Sequence, residues 1–218
     1  MEKNKNSQIL NDLKVFFQKE DYNSAIDLIK SNQNSFEPGL YEYNLGISYF
    51  KNNEIVQSRV WLEKAKQNGF YSNELQSALE KVTSKLEVTR LEESQSFSDT
   101  FNQISVDLPV DAYYTVSLTF FVLLAFLYKR MDKYLRVLML VIAFSPLAFY
   151  HIHVKVYHSI IVLEDQIVYR GPSAMFEQIQ LIPKGMKLLT GKTHNGWRYI
   201  LTPSSHRGWF NSEKVQEL

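Results

Sequence analysis

The chain has 218 residues, enough for one or two domains, and its 24 basic residues nearly cancel its 23 acidic ones. This balance argues against a nucleic-acid-binding protein, which needs a concentrated basic face. The absence of cysteine excludes disulfides, thiolate metal sites and cysteine nucleophiles. Charges are scarce only between residues 111 and 158, so an apolar middle separates two polar ends.

The N-terminal third contains an internal repeat with a period of 33 residues. Its first copy has Leu13, Phe16, Ala25 and Ile29, and its second has Gly46, Tyr49, Ser58 and Leu62. This pattern resembles the tetratricopeptide repeat, in which a small residue lies where paired helices cross. After it, the 4-3-4 spacing of Leu75, Leu79, Val82 and Leu86 predicts one face of a capping helix. We therefore predict an all-α repeat domain over residues 1–91.

Stacked repeats of this kind form a concave surface that binds other proteins. The candidate partner-binding residues of this surface are Tyr41, Tyr43, Asn44 and Tyr49. The alternative is a set of ordinary helical hairpins that has no partner groove.

Between residues 92 and 110, serine, aspartate and glutamine alternate with Phe97, Phe101 and Ile104. We predict a juxtamembrane connector that lies on the bilayer surface through these apolar side chains. Pro109 marks the entry to the first of two apolar segments.

The two apolar segments predict a transmembrane hairpin. Uncharged runs of 17 and 18 residues lie between Asp111 and Lys129 and between Arg136 and Lys155. Each covers roughly 26 Å as a helix, close to the thickness of the hydrocarbon core. Tyrosines, which favour the headgroup region, cluster at the segment ends: Tyr113, Tyr114, Tyr128, Tyr134 and Tyr150. We predict spans at 111–128 and 137–154; the alternative is a helical hairpin buried in a larger soluble core.

The link at 129–136 carries four basic residues and one acidic residue. By the positive-inside rule, we expect this turn to be cytoplasmic in the bacterial inner membrane and both flanking domains to be periplasmic. The polar start of the chain, Met1 to Gln8, has no apolar segment of the signal-peptide type. We give the basic turn more weight than this missing signal.

The last third, residues 159–218, has short β-branched and aromatic runs separated by turn residues, which predicts a small barrel of five or six strands. It resembles the bacterial SH3 domain, on the landmarks Val168 to Ser173, Phe176, Lys184-Gly185, Gly196-Trp197 and Gly208-Trp209. The resemblance implies structural roles for both tryptophans. A ligand groove at Tyr169 and Tyr199 is the functional hypothesis for this domain, and simple packing of these rings is the alternative.

No catalytic constellation is found. Gly191-Lys192-Thr193 imitates the end of a phosphate loop, but it lies between strands rather than at a strand-to-helix turn. His151, His153 and His158 have no carboxylate close in sequence, so we predict no metal site. We expect neither an enzyme nor a cofactor.

The domain order is helical repeats, membrane hairpin and SH3-like barrel, so the fold class is a multidomain membrane protein. This order resembles the BatE-like, tetratricopeptide-containing family of the Bat (Bacteroides aerotolerance) operon proteins. The resemblance implies a scaffold linked to oxidative-stress tolerance, whose partners include membrane proteins with von Willebrand A domains and a MoxR-type ATPase. The alternative function is a cell-wall sensor that binds peptidoglycan through the barrel.

Overall fold

The computed structural model describes residues 2–86, 88, 91 and 96–218, and only the backbone of residues 2–7. Residues 92–95 of the predicted connector, and residues 1, 87, 89 and 90 of the predicted repeat domain, lie outside this description. The helices within the described part are α1 (Glu2–Gln18), α2 (Tyr22–Ser31), α3 (Leu40–Lys51), α4 (Ile55–Gln67), α5 (Asn73–Leu86), α6 (Phe97–Asp107), α7 (Val110–Leu127) and α8 (Lys133–Ile152).

Helices α1 to α5 pack in sequence, each against the next. The closest approach is between α3 and α4, because a Cβ atom added at Gly46 would lie 2.6 Å from the side chain of Leu62. The Ser58 hydroxyl donates to the Gly46 carbonyl at 2.8 Å and ties the two helices at this crossing. Only glycine allows so close a contact, so the residue that the repeat pattern singled out has a packing role.

Helices α7 and α8 form a hairpin, because residues near the start of α7 contact residues near the end of α8 and later residues of α7 contact earlier residues of α8. Tyr113 contacts Tyr150, and the Ser117 hydroxyl donates to the Ala143 carbonyl. The contacts therefore show an antiparallel pair, which we call the hairpin.

The hairpin could cross a membrane by length and composition. Its apolar stretches run over Val110–Arg130 and Lys133–Val156, which are 21 and 24 residues, and only 11% of each apolar window is buried. At the rise of a helix these stretches cover roughly 31 and 36 Å, enough for a hydrocarbon core of about 30 Å. The expected pair of long apolar helices is thus confirmed, and the low burial speaks against a helical hairpin enclosed in a protein core.

The C-terminal part is an antiparallel sheet of seven strands among the described residues. Its order is β3-β2-β6-β5-β4-β1-β7. The strands are β1 (His158–Val162), β2 (Gln166–Tyr169), β3 (Gln178–Ile182), β4 (Lys187–His194), β5 (Trp197–Thr202), β6 (Gly208–Asn211) and β7 (Val215–Glu217). The helix-plus-sheet organisation is as predicted, while the seven strands exceed the five or six expected.

The N-terminal helices and the segment that follows them pack directly against the sheet. Val88 is fully buried in the hydrophobic core of the sheet, with Leu86 and Leu91 packed against the same core. The side chain of Leu86, at the end of α5, also packs on Gly185. The chain that leaves α5 therefore contributes directly to the core of the sheet.

Candidate functional site

An open cavity of about 440 Å³ lies on the surface formed by α3 and α5. We call it the groove. Its wall combines aromatic, aliphatic and charged side chains: Tyr43, Ile47, Phe50, Lys51, Asn73, Glu74, Ser77, Ala78 and Lys81. A cavity with mostly apolar walls and a few polar groups at its edge is typical of a binding site.

Packing behind the groove fixes its aromatic wall. The ring of Tyr43 lies against that of Phe70, with 4.9 Å between centroids. The ammonium group of Lys85 lies 4.6 Å from the centroid of the Phe50 ring, in cation–π contact. Both rings are therefore held in place without a ligand, which lowers the entropic cost of binding to them.

The charge around the groove is mainly positive. Lys51 and Lys81 line it, and Glu74 is the acidic residue of its wall. Hydrogen bonds from the Glu74 backbone and from Ser72 lower the pKa of the Glu74 carboxyl, so this residue is charged at neutral pH. Burial, aided by the nearby Glu74, raises the pKa of the Tyr43 phenol, so Tyr43 is neutral and offers a hydroxyl.

The structure separates the four predicted partner-binding residues. Tyr43 borders the groove, whereas Tyr41 and Tyr49 are only 7% and 8% exposed and belong to the core of α2 and α3. The Tyr41 ring packs edge-on against Trp61 at 5.9 Å. Asn44 is half-buried, and its carbonyl accepts a hydrogen bond from Ser48 at 2.8 Å. The surfaces of Tyr41 and Tyr49 are therefore used in packing.

In the sheet, Tyr169 and Tyr199 join the two tryptophans in a cluster of four half-buried rings. Tyr169 contacts Trp197 edge-on at 5.3 Å, and Tyr199 contacts Trp209 at 5.5 Å. Cross-strand pairing places Trp209 opposite both tyrosines. We call this group the aromatic cluster. The cluster is partly packed and partly open to solvent. It is therefore compatible both with a ligand groove at Tyr169 and Tyr199 and with simple packing of these two rings.

A buried charged cluster joins the helices to the sheet. Lys187 on β4 donates to Glu63 on α4 at 3.0 Å and to Asp107 of α6 at 2.7 Å. Arg59 lies 3.8 Å from Glu63 and donates to the Gly185 carbonyl at 2.6 Å. We call these residues the polar junction.

The charges of the polar junction support one another. Burial alone would lower the pKa of Lys187, but Glu63 and Asp107 outweigh this effect and raise it. Burial alone would raise the pKa of Glu63, but Lys187 and Arg59 outweigh it and lower the pKa. Lys187 and Glu63 are therefore ionised at neutral pH, and each compensates the desolvation of the other.

A second polar contact attaches α6 to the sheet. The Asp99 carboxylate accepts hydrogen bonds from the Ser204 amide at 3.1 Å and the Ser204 hydroxyl at 2.7 Å, and it also caps the start of α6 at Ser96. Burial alone would raise the pKa of the Asp99 carboxyl. The hydrogen bonds from Ser204 and Ser96 outweigh burial, so the pKa is lowered. This contact was not predicted from the sequence. The sequence signal present at Asp99 is the capping box that it forms with Ser96 at the start of α6.

No group of three or more histidine or acidic side chains within the described ranges is arranged to hold a metal ion. His153, one of the three histidines considered, has its Nε2 3.1 Å from the amide oxygen of Asn102. This contact links the end of α8 to α6.

No family model matches this chain, and no curated protein or solved structure matches it either.

Proposed function

We propose that this protein is a membrane-anchored interaction scaffold whose groove binds an extended segment of a partner protein. The observation that carries the proposal is the open groove of about 440 Å³, with the rings of Tyr43 and Phe50 in its wall and Lys51 and Lys81 around it. Aromatic walls supply apolar contact area, and the lysines favour a segment with acidic residues. This arrangement supports binding of such a segment.

The hairpin is the anchor in this proposal. Apolar side chains such as Val122, Phe126 and Val141 are exposed along both of its helices. An exposed apolar surface that runs the length of two helices would cause aggregation in water, whereas lipid solvates it.

The polar junction supports placement of the N-terminal helices and the sheet on the same side of the membrane. Lys187 follows the hairpin in sequence, whereas Glu63 and Asp107 precede it, yet the three side chains are in direct contact. A hairpin that crosses the bilayer twice permits this contact. We propose the periplasm of a bacterial inner membrane as that side, on the basis of the basic turn at 129–136.

The likeness to the BatE-like family extends the proposal to partners. A tetratricopeptide-type stack and an SH3-like sheet in this order support a role in an envelope complex linked to oxidative-stress tolerance. The proposed partners are membrane proteins with von Willebrand A domains and a MoxR-type ATPase.

Site-specific photocrosslinking tests the groove in the full-length chain in native membranes. Ser77 lines the groove, whereas Glu80 is exposed on the same helix outside the groove wall. We expect a photoreactive residue at 77 to give one defined protein adduct, and the same residue at 80 to give none. Tyr43→Ala should abolish the adduct from position 77. Equal crosslinking from both positions, or an adduct unaffected by Tyr43→Ala, would contradict the proposal.

The aromatic cluster favours a second candidate function, binding of peptidoglycan. The half-buried rings of the aromatic cluster lie together on one region of the sheet, and aromatic rings suit the binding of sugar rings. The test is retention of the detergent-purified full chain on isolated sacculi. Retention that is lost in Tyr169→Ala and Tyr199→Ala, but kept in the groove variant Tyr43→Ala, would favour the sensor over the scaffold.

A further inference from the structure

Helix α6 has an apolar stripe along one face. Phe97, Phe101, Ile104 and the C-cap residue Leu108 follow one another at spacings of four, three and four residues. At 3.6 residues per turn these positions fall within an arc of about 60°. We call these four residues the apolar stripe.

The apolar stripe points away from the protein. Its four side chains are 88%, 52%, 56% and 44% exposed in sequence order. Three polar side chains of the same helix point inward, because Asp99 and Ser105 are nearly fully buried and Asp107 bonds to Lys187. In a soluble protein, an amphipathic helix turns its apolar face to the core. Helix α6 instead leaves its apolar stripe exposed, an arrangement that apolar surroundings would stabilise.

The apolar stripe continues into the surface of the hairpin. Phe101, Ile104 and Leu108 line an open slot of about 480 Å³ together with residues from the start of α7 and the end of α8. The hairpin residues of this slot are Ala112, Tyr113, Val116, Ser145, Pro146 and Phe149. The slot is almost entirely apolar, so it lacks the polar groups that would hold an aqueous ligand.

Polar and aromatic contacts fix α6 at this end of the hairpin. The Tyr113 hydroxyl donates to the Ser105 carbonyl at 2.6 Å, and Asn102 contacts His153. The rings of Phe101 and Phe149 lie 6.1 Å apart. Helix α6 is therefore held where the chain both enters and leaves the hairpin, which in a membrane is the interface with water.

We infer that α6 is an interfacial helix: its apolar stripe lies in the headgroup and upper acyl region of the bilayer, and phospholipid acyl chains fill the slot between α6, α7 and α8. The inference rests on the proposed anchoring of the hairpin. Continuity of the stripe with the hairpin surface identifies lipid as the occupant. The stripe and the docked polar face together hold the sheet and the N-terminal helices against the membrane surface.

The test uses the absence of cysteine from the chain, which allows single labelling sites. Cysteines placed by Phe97→Cys and Ile104→Cys carry a bimane fluorophore in the full chain, in vesicles of phosphatidylcholine and phosphatidylglycerol. Phe126→Cys on the hairpin and Met175→Cys on the sheet are the lipid and water references, because both side chains are highly exposed. Quenching is measured with phosphatidylcholine brominated on its acyl chains and with aqueous iodide.

We expect the brominated lipid to quench the labels at 97 and 104 as strongly as the label at 126. Iodide should quench the label at 175 but not the labels at 97 and 104. Iodide quenching at 97 and 104, with lipid quenching kept at 126, would overturn the interfacial helix and leave the anchoring intact. Protection from both quenchers would also overturn it, because a protein surface would then cover the stripe. Iodide quenching at 126 would instead refute the anchoring itself.

Discussion

At the polar junction, Glu63 and Lys187 are almost completely removed from water, whereas along the hairpin Val122 and Phe126 are exposed. A soluble protein distributes these residue types the other way round, because burial of charge is costly and burial of apolar surface is favourable. The charges at the junction are compensated by ion pairs with defined geometry, whereas apolar side chains stay exposed along both helices of the hairpin. The buried junction suits a protein interior, and the exposed apolar surface is typical of a pair of helices that could span a membrane.

The two regions also differ in how they connect the helices and the sheet. The junction links α4, α6 and β4 through side chains separated by up to 124 residues in sequence. The hairpin contacts the rest of the molecule mainly through α6. The junction thus connects the folded parts, and the hairpin and α6 form the proposed attachment to the membrane.

The largest effect is expected when the junction loses its central cation. Lys187→Met leaves Glu63 and Asp107 buried without their partner, so we expect the free energy of unfolding to fall by about 3–5 kcal/mol. Denaturant unfolding of the detergent-solubilised chain measures it. The control is Lys214→Met, which removes an exposed pair with Glu164 and should cost less than about 1 kcal/mol. Equal losses in the two variants would contradict the role of the junction.

A smaller effect is expected inside the hairpin. Ala143 is fully buried against α7, whereas Val141 on the same helix is exposed. We expect Ala143→Leu to destabilise the pair of helices by about 1–3 kcal/mol through overpacking. Val141→Leu should have no measurable effect, because its side chain is exposed. Unfolding in a titration with a denaturing detergent distinguishes the two, and a reversed order would mean that another surface of α8 is packed.

The smallest effect concerns Asp99 and the attachment of α6. Its pKa is lower in the folded chain than the ordinary value of 3.8, so its contribution to stability is present above that value and is lost as the pH falls through the lower folded pKa. Hydrogen exchange of the α6 amides should therefore accelerate below about pH 4. Ser204→Ala removes one hydrogen bond and should cost about 1 kcal/mol at neutral pH. Amide exchange that is independent of pH in this range, after correction for the intrinsic rate, would contradict the contact.

Sequence patterns located the elements whose signals are local. The strands of the sheet follow from short β-branched and aromatic runs between turn residues, and the hairpin follows from two uncharged segments. Gly46 stood out in the repeat pattern because a small residue is needed where paired helices cross. The close contact with Leu62 is the steric reason for it.

The contacts between distant segments were not predictable in this way. Nothing near Glu63 indicates that its partner is Lys187, and an isolated charge on a helix or strand usually faces water. The connector was predicted to lie on the bilayer surface through Phe97, Phe101 and Ile104, but its helix α6 and the docking of Asp99 on Ser204 were not predicted. Tyr41 and Tyr49 were candidates for the groove because sequence cannot distinguish an aromatic ring in a core from one on a surface.

The most direct test of the account is the sidedness of three labelling sites in sealed vesicles. Single cysteines at Tyr71 in the N-terminal part, Tyr134 near the basic turn and Met175 in the sheet react with a thiol reagent that cannot cross membranes. If the hairpin crosses the membrane twice, positions 71 and 175 are labelled from the same side and position 134 is labelled only from the other. Labelling of 71 and 175 from opposite sides, or of all three from one side, would contradict a hairpin that crosses the membrane twice.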